Sequence, residues 1–260
     1  MKDKKSDYKV QIAVIIISIL FVFLVFYNLP KFLEQGTSQS AYTQVNNSNQ
    51  TFEVVNISKH NTTIIVPAVD NEGNGIPVSL SVEAIPGEGR TLVNINQILF
   101  WVDTQQSIRT ARDVAQTITN MNLSKIDLIY SIETEANVIE GPSAGAALTI
   151  ATISVLENKT LNKSVMITGT INPDGTIGPV GGILAKANAA KEVGATLFLV
   201  PEGQGIQTNY EPIETCKKLK SFTYCKIEYV PEKVPTSTAS GVEVEEVGSI
   251  EDALKYFIGD

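Results

Sequence analysis

Histidine is almost absent from this chain, with His60 alone among 260 residues, and cysteine is limited to Cys216 and Cys225. A structural zinc site usually draws four ligands from these two residue types, so no zinc site is expected. Positive charge is also scarce: 20 Lys and Arg stand against 28 Asp and Glu, for a formal net charge of −8. Without a basic stripe to displace counterions from phosphates, a nucleic-acid partner is excluded. No G-x-x-x-x-G-K-[ST] loop occurs, so these 260 residues carry no P-loop nucleotide site. What is present is apolar mass. At 43% apolar and 18% charged, the composition supports one to two domains around a sizeable core.

The charge is unevenly spread. Lys2, Lys4, Lys5 and Lys9 against Asp3 and Asp7 give residues 1–30 a local net of +2, and the rest of the chain carries −10. Residues 10–29 (VQIAVIIISILFVFLVFYNL) contain no charge. As a helix they would span about 30 Å, the thickness of a bilayer's hydrocarbon. The run is longer than a signal peptide's apolar region and lacks a small-x-small site, so an uncleaved transmembrane helix is expected. The lysines ahead of it set the orientation. The expected organisation is a cytoplasmic tail over 1–9, a transmembrane helix over 10–29, a flexible tether over 30–60 rich in Gln, Asn, Ser and Thr, and a folded body over 61–260. The expected localisation is single-pass in the cell membrane, with the body outside the cytoplasm. Asn-x-Ser/Thr sequons beginning at Asn46, Asn49, Asn56, Asn61, Asn122, Asn158 and Asn162 suit that side. Cys216 and Cys225 either pair there or serve as two small buried apolar groups.

Within the body, β-branched residues dominate 62–69, turn chemistry fills 71–75, and Val78, Leu80, Val82 and Ala84 alternate along 77–85. That pattern predicts a hairpin with one wet face. Ile108, Ala111, Ala115 and Ile118 recur at helical spacing over 104–121. Strands are expected over 126–132, 165–171 and 197–200, and helices over 142–158, 182–193 and 249–258. The helix over 142–158 is apolar on nearly every side and should be central. Ser249 should cap the last helix, ahead of Glu251 and Asp252. The order is that of an α/β (α+β) body with mixed sheets and packed helices.

Two places carry chemistry. Glu140-Gly141-Pro142-Ser143-Ala144-Gly145 puts Ser143 at the start of the apolar helix, where unpaired N–H groups favour developing negative charge. The segment also fits G-x-S-x-G, but that elbow needs a histidine after the serine, and His60 lies upstream. Any nucleophile here needs a different base. Lys186 is the candidate, because it shares a helical stripe with Ile183, Ala190 and Val193. A lysine there either snorkels to water or is buried. Burial lowers its pKa, and a neutral amine accepts a proton from a serine hydroxyl.

These two segments together resemble the proteolytic domain of the Lon protease family. Glu140 to Gly145 is similar to the family's nucleophile turn. Residues 166–201 (MITGTINPDGTIGPVGGILAKANAAKEVGATLFLVP) are similar to its Thr-Gly, paired-Gly and Lys-x-x-x-Ala pattern, and the 43-residue separation of Ser143 from Lys186 agrees. The resemblance implies a Lon-type proteolytic fold, with Ser143 as nucleophile, Lys186 as base and Thr168 orienting the lysine. Gly181 and Gly182 would let the lysine helix approach, and Glu140 would act locally without moving a proton. It also implies peptide hydrolysis through an acyl-enzyme, with no metal and no cofactor.

Departures from the family shape the expectation further. The ATPase module common in the family has no counterpart here, and the upstream histidines of some members are replaced by Tyr130-Ser131-Ile132-Glu133-Thr134. The expectation is an ATP-independent, membrane-anchored endopeptidase acting on unfolded or flexible polypeptide, assembled as a homo-oligomeric ring. One alternative is a non-catalytic surface module for binding or assembly that retains the fold. Another is a cytoplasm-facing peptidase served by a separate ATPase. An archaeal source fits the Asn- and Ile-rich composition.

Overall fold

The computed structural model describes residues 57–94, 99–100, 102–133, 138–139 and 141–258. Contacts divide the chain between residues 49 and 50, and every described residue belongs to the second unit.

In chain order the strands are β1 (His60–Val69), β2 (Gly75–Pro86), β3 (Thr91–Asn94), β4 (Leu99–Phe100), β5 (Ile126–Glu133), β6 (Val138–Ile139), β7 (Val165–Ile167), β8 (Thr170–Ile171) and β9 (Ile177–Gly178). They continue with β10 (Leu197–Pro201), β11 (Ile206–Leu219), β12 (Phe222–Pro235) and β13 (Glu243–Val247). The helices are α1 (Val102–Thr119), α2 (Gly145–Glu157), α3 (Ile183–Glu192), α4 (Thr236–Ser240) and α5 (Ile250–Ile258).

The main sheet has the order β1-β2-β5-β3, antiparallel except for the β3–β5 pair. Its first turn is closed by Asp70, whose Oδ1 accepts the N–H groups of Glu72 and Asn74 at 2.9 and 2.8 Å. The predicted alternation holds: Val78, Leu80, Val82 and Ala84 are all buried. A second sheet, β13-β10-β7, is wholly parallel. The expected α/β body with mixed sheets is therefore present.

The apolar helix α2 is central. Every residue from Gly145 to Leu156 is buried, against α1, β1, β2 and α5. Its polar side chains stay paired: Thr149 and Thr152 bond carbonyls one turn back, and the Tyr130 hydroxyl meets Thr152 Oγ1 at 2.9 Å. Two glycines set close approaches. A Cβ on Gly145 would lie 2.6 Å from Ile171 Cγ2, and one on Gly75 would lie 1.9 Å from the Ala185 carbonyl oxygen. The second contact fixes α3 across the β1–β2 turn. At the far end of the main sheet the buried Asp127 accepts the N–H groups of Glu88 and Arg90 and pairs with the Arg90 guanidinium. Those bonds pull its carboxyl down to about 2.

Boundaries differ from the sequence expectation where side-chain pattern and backbone pairing part. The strand expected over 165–171 breaks at Thr168-Gly169 into β7 and β8. The helix expected from 142 begins at Gly145, with Ala144 as its cap. Ile57 packs into the core four residues ahead of the expected start of the body. Ser249 caps α5 as expected: its Oγ accepts the Asp252 N–H at 3.2 Å and bonds the Asp252 carboxylate at 2.9 Å.

The sequence pattern missed the β11–β12 hairpin altogether. It pairs Ile206 with Pro235 and runs in register to Leu219 opposite Phe222. Cys216 and Cys225 face each other across it and form a disulfide. Both are exposed, so they are not small buried apolar groups.

The expected transmembrane helix and single-pass membrane localisation are corrected. Among the described residues no helix is long and apolar enough to cross a membrane. The most apolar, α2, has 13 residues and spans only about 20 Å. The 18-residue α1 carries Asp103, Arg109, Arg112 and Asp113. The stretch 10–29, on which the expectation rested, lies outside the described residues.

Candidate active site

Ser143 sits in a tight turn immediately before α2, not within its first turn as expected. Gly141 takes φ +94° to enter this turn. The Gly145 N–H is spent on the Pro142 carbonyl at 3.0 Å, and the Ala144 carbonyl accepts the Leu148 N–H at 2.9 Å. The backbone of Ser143 is pinned from the other side. Its carbonyl accepts the Gly169 N–H at 3.0 Å, while the Gly169 carbonyl accepts the Ala146 N–H at 3.1 Å.

The break between β7 and β8 is what makes that pinning possible. Thr168 keeps one bond to the sheet, from its N–H to the Leu199 carbonyl at 3.1 Å. Its side chain, 1% exposed, then turns toward the serine. The hydroxyl donates to the Ser143 carbonyl at 3.3 Å and accepts from Lys186 Nζ at 3.3 Å. Gly169 follows because the space is taken: a Cβ there would lie 2.4 Å from Ile177 Cγ2.

Lys186 enters from α3. The helix starts at Gly182, whose φ of +69° turns the chain, and a Cβ there would lie 2.7 Å from Val69 Cγ2. Lys186 is 4% exposed and lies among the buried Ile183, Ala187 and Ala190. Burial therefore wins over snorkelling. Val193 does not continue the stripe; it caps the helix and is exposed. Among the described residues no acidic side chain pairs with the amine, and desolvation pulls its pKa from 10.5 down to about 8.

Ser143 and Lys186 line one cleft of about 240 Å³. Its apolar lining comes from Val66 and Ala68 on β1 and from Ile76, Val78 and Leu80 on β2; Gly141, Ala144, Gly181 and Gly182 line it beside the two polar residues. Among the described residues, the hydrogen-bonded route from the amine to the serine runs through Thr168. Glu140 lies outside the described residues.

One supporting residue was not legible in the sequence. Gln204 grips the backbone of Val180 twice, accepting its N–H at 2.9 Å and donating to its carbonyl at 2.8 Å. That grip holds the segment leading into Gly181-Gly182. A glutamine in a turn-rich stretch carries no periodic signal that would mark it.

The profile of the Lon protease (S16) C-terminal proteolytic domain matches residues 102–235. The chain belongs to the Lon protease family. Membership places this proteolytic domain among the serine peptidases. Among its relatives is the archaeal Lon protease of Thermoplasma acidophilum, 29% identical over 164 residues, covering 63% of this chain and 24% of the relative. The Lon protease of Phenylobacterium zucineum is 30% identical over 146 residues, 55% of this chain and 18% of the relative. That of Buchnera aphidicola is 25% identical over 236 residues, 88% of this chain and 25% of the relative. The chain thus spans about a quarter or less of the length of these relatives.

Proposed function

We propose that this chain hydrolyses peptide bonds as an ATP-independent Lon-type endopeptidase, with Ser143 as nucleophile and Lys186 as its general base. The observation that carries the reading is the lysine: a buried amine, with its pKa drawn down to about 8, in the same cleft as a serine held in a tight turn. Burying an ammonium without a counter-ion costs stability, and a binding module gains nothing from it. A proton acceptor poised near neutral pH does gain.

The proposed reaction runs in four steps. Neutral Lys186 Nζ takes the Ser143 hydroxyl proton as Oγ attacks the scissile carbonyl carbon. The resulting oxyanion is met by backbone N–H groups of the Ser143–Ala144 turn, since those of Gly145 and Ala146 are already spent. The Lys186 ammonium then protonates the leaving amine as the C–N bond breaks. Water gives a proton to the neutral Lys186 amine as its oxygen attacks the acyl carbon, and the ammonium returns that proton to Ser143 Oγ as the ester C–O bond breaks, freeing the acid product and the serine hydroxyl. Thr168 is a positioning residue: its hydroxyl holds the amine in place while tying the serine backbone. The apolar cleft lining suits an apolar substrate side chain, and a chain threaded past Ser143 must be unfolded or flexible. The 260 residues contain no P-loop, so no ATP-driven unfolding comes from them.

The test is covalent labelling by a serine-reactive fluorophosphonate, with Ser143→Ala as control, alongside casein cleavage by wild type and Lys186→Ala. Labelling that requires Ser143, and cleavage that requires Lys186, support the dyad. A folded Lys186→Ala protein that cleaves casein at the wild-type rate refutes it.

A further inference from the structure

Strand β1 is an edge strand of the main sheet, and Val66, Pro67, Ala68 and Val69 all line the cleft. Successive side chains of a strand point to opposite faces, so four consecutive residues share one cleft only where it reaches the strand's backbone. The register tells which backbone groups lie there. Pro67 stands opposite Pro77 in the β1–β2 ladder. Neither proline has an N–H, so the two cannot exchange the bonds of a hydrogen-bonded pair and must occupy a non-hydrogen-bonded site. Pro77 obeys the same rule on its other side, because the pairing of β2 with β5 starts only at Ser79. Alternation then fixes the neighbours. Val66 and Ala68 turn their N–H and C=O groups toward Val78 and Ile76 on β2, while Ile65, Pro67 and Val69 turn theirs to the open edge. Among the described residues, no backbone–backbone hydrogen bond claims those three outward positions.

An open edge of this kind accepts an extended chain as a further strand. Ile65 and Val69 each offer that chain a donor and an acceptor. Pro67 offers an acceptor alone. Whichever substrate carbonyl faces the Pro67 nitrogen therefore finds no donor on β1. This holds for a parallel or an antiparallel substrate strand, since each pairs every outward N–H with a carbonyl. Pro67 is buried and the lining beside it is apolar, with Val66, Val78 and Leu80, so water serves such a carbonyl poorly. A buried carbonyl left unpaired is costly. In the same cleft the Ser143–Ala144 turn carries backbone N–H groups that no described carbonyl accepts.

We propose that an extended substrate pairs with the open edge of β1 with its scissile carbonyl at Pro67, and that the missing N–H hands this carbonyl to the Ser143–Ala144 turn. Any other substrate carbonyl in that place stays unpaired. A residue with an N–H there would hold the carbonyl in the ground state and compete with the oxyanion donors for it, so binding would tighten at the expense of the reaction. Pro67 is thus a positioning residue and moves no proton. The proposal rests on Ser143 as nucleophile and adds where the substrate backbone lies.

The experiment uses the full chain and a defined peptide that wild type cleaves at one bond. Pro67→Ala should lower KM and kcat together by about fivefold, the worth of one added hydrogen bond, and leave kcat/KM nearly unchanged. In the inactive Ser143→Ala background, Pro67→Ala should tighten the Kd of the same peptide about fivefold. It should not tighten the Kd of an analogue whose scissile carbonyl is reduced to a methylene. Amide exchange at Val69 should slow when the peptide binds. Pro67→Val, which keeps strand propensity, carries the same measurements if Pro67→Ala loosens β1. Unchanged KM and Kd in both variants, equal tightening of the reduced analogue, or unchanged exchange at Val69 would each overturn the proposal. Cleavage that persists in Ser143→Ala would instead overturn the nucleophile assignment, a separate failure with its own readout.

Discussion

Replacing Lys186 by Met should abolish peptide cleavage and yet make the protein more stable at neutral pH. Lys186 is 4% exposed, and burial draws its pKa from 10.5 to about 8. At about 1.36 kcal/mol per unit, the folded ammonium form carries a penalty of about 3 kcal/mol. The sign follows from proton counting. Between pH 8 and 10.5 the unfolded chain holds this proton and the folded chain does not, so wild-type stability rises with pH there. Below pH 8 both states are protonated and the full penalty stands; above 10.5 both are neutral and it is gone. A methionine of similar length carries no such penalty but gives up the bond to Thr168, which trims the gain by about 1 kcal/mol. The variant should therefore be more stable at pH 7 by about 2 kcal/mol, or about 4–8 °C in Tm for a domain of this size. The advantage should vanish on going to pH 10.5. Calorimetry or urea unfolding of both proteins at the two pH values checks it. A variant that is destabilised equally at both would refute the argument that the amine is buried at a cost. In wild type, kcat/KM should rise about tenfold per pH unit below 8 and then level, because only the neutral amine accepts the serine proton.

Three further outcomes follow from the same contacts. Thr168→Val should lower kcat about tenfold or more by removing the hydroxyl between amine and serine, and Thr168→Ser should restore most of it; steady-state kinetics of the pair distinguishes positioning from packing. Gln204→Ala should lose both bonds to Val180, costing about 2 kcal/mol in denaturant unfolding. Loosening of α3 would then move the activity pH profile upward, toward the ordinary lysine range. Asp127→Asn should lower stability at neutral pH and flatten acid unfolding: the folded carboxyl titrates near 2 against 3.8 unfolded, so wild type loses stability as pH falls from about 4 to 2 and the variant has less to lose there.

Much of the interior was legible because periodicity reports which side of an element leaves water. The alternation of Val78, Leu80, Val82 and Ala84 marked a buried strand face, and the all-round apolar run from Gly145 to Leu156 marked a central helix. The resemblance to the Lon proteolytic domain picked out Ser143, Thr168 and Lys186, and the fold brings all three together. Other features left no such trace. The β11–β12 ribbon is exposed on both faces, so its strands show no apolar–polar contrast for a pattern to detect. Its disulfide depended on register, which is a property of the pair of strands and not of either one.

By itself the sequence marked the elements that must turn inward, left its single histidine, His60, upstream of the serine, and offered Lys186 as a candidate base. Tertiary structure alone decided that Lys186 is buried rather than snorkelling, that the strand breaks at Thr168 so its hydroxyl can bridge amine and serine, and that Gln204 holds the approach to Gly181-Gly182. The physical reason is that a residue's own helix or strand fixes only the direction in which its side chain leaves. Desolvation and hydrogen bonding depend on what other elements place in front of it, across 43 residues of chain in the case of Ser143 and Lys186.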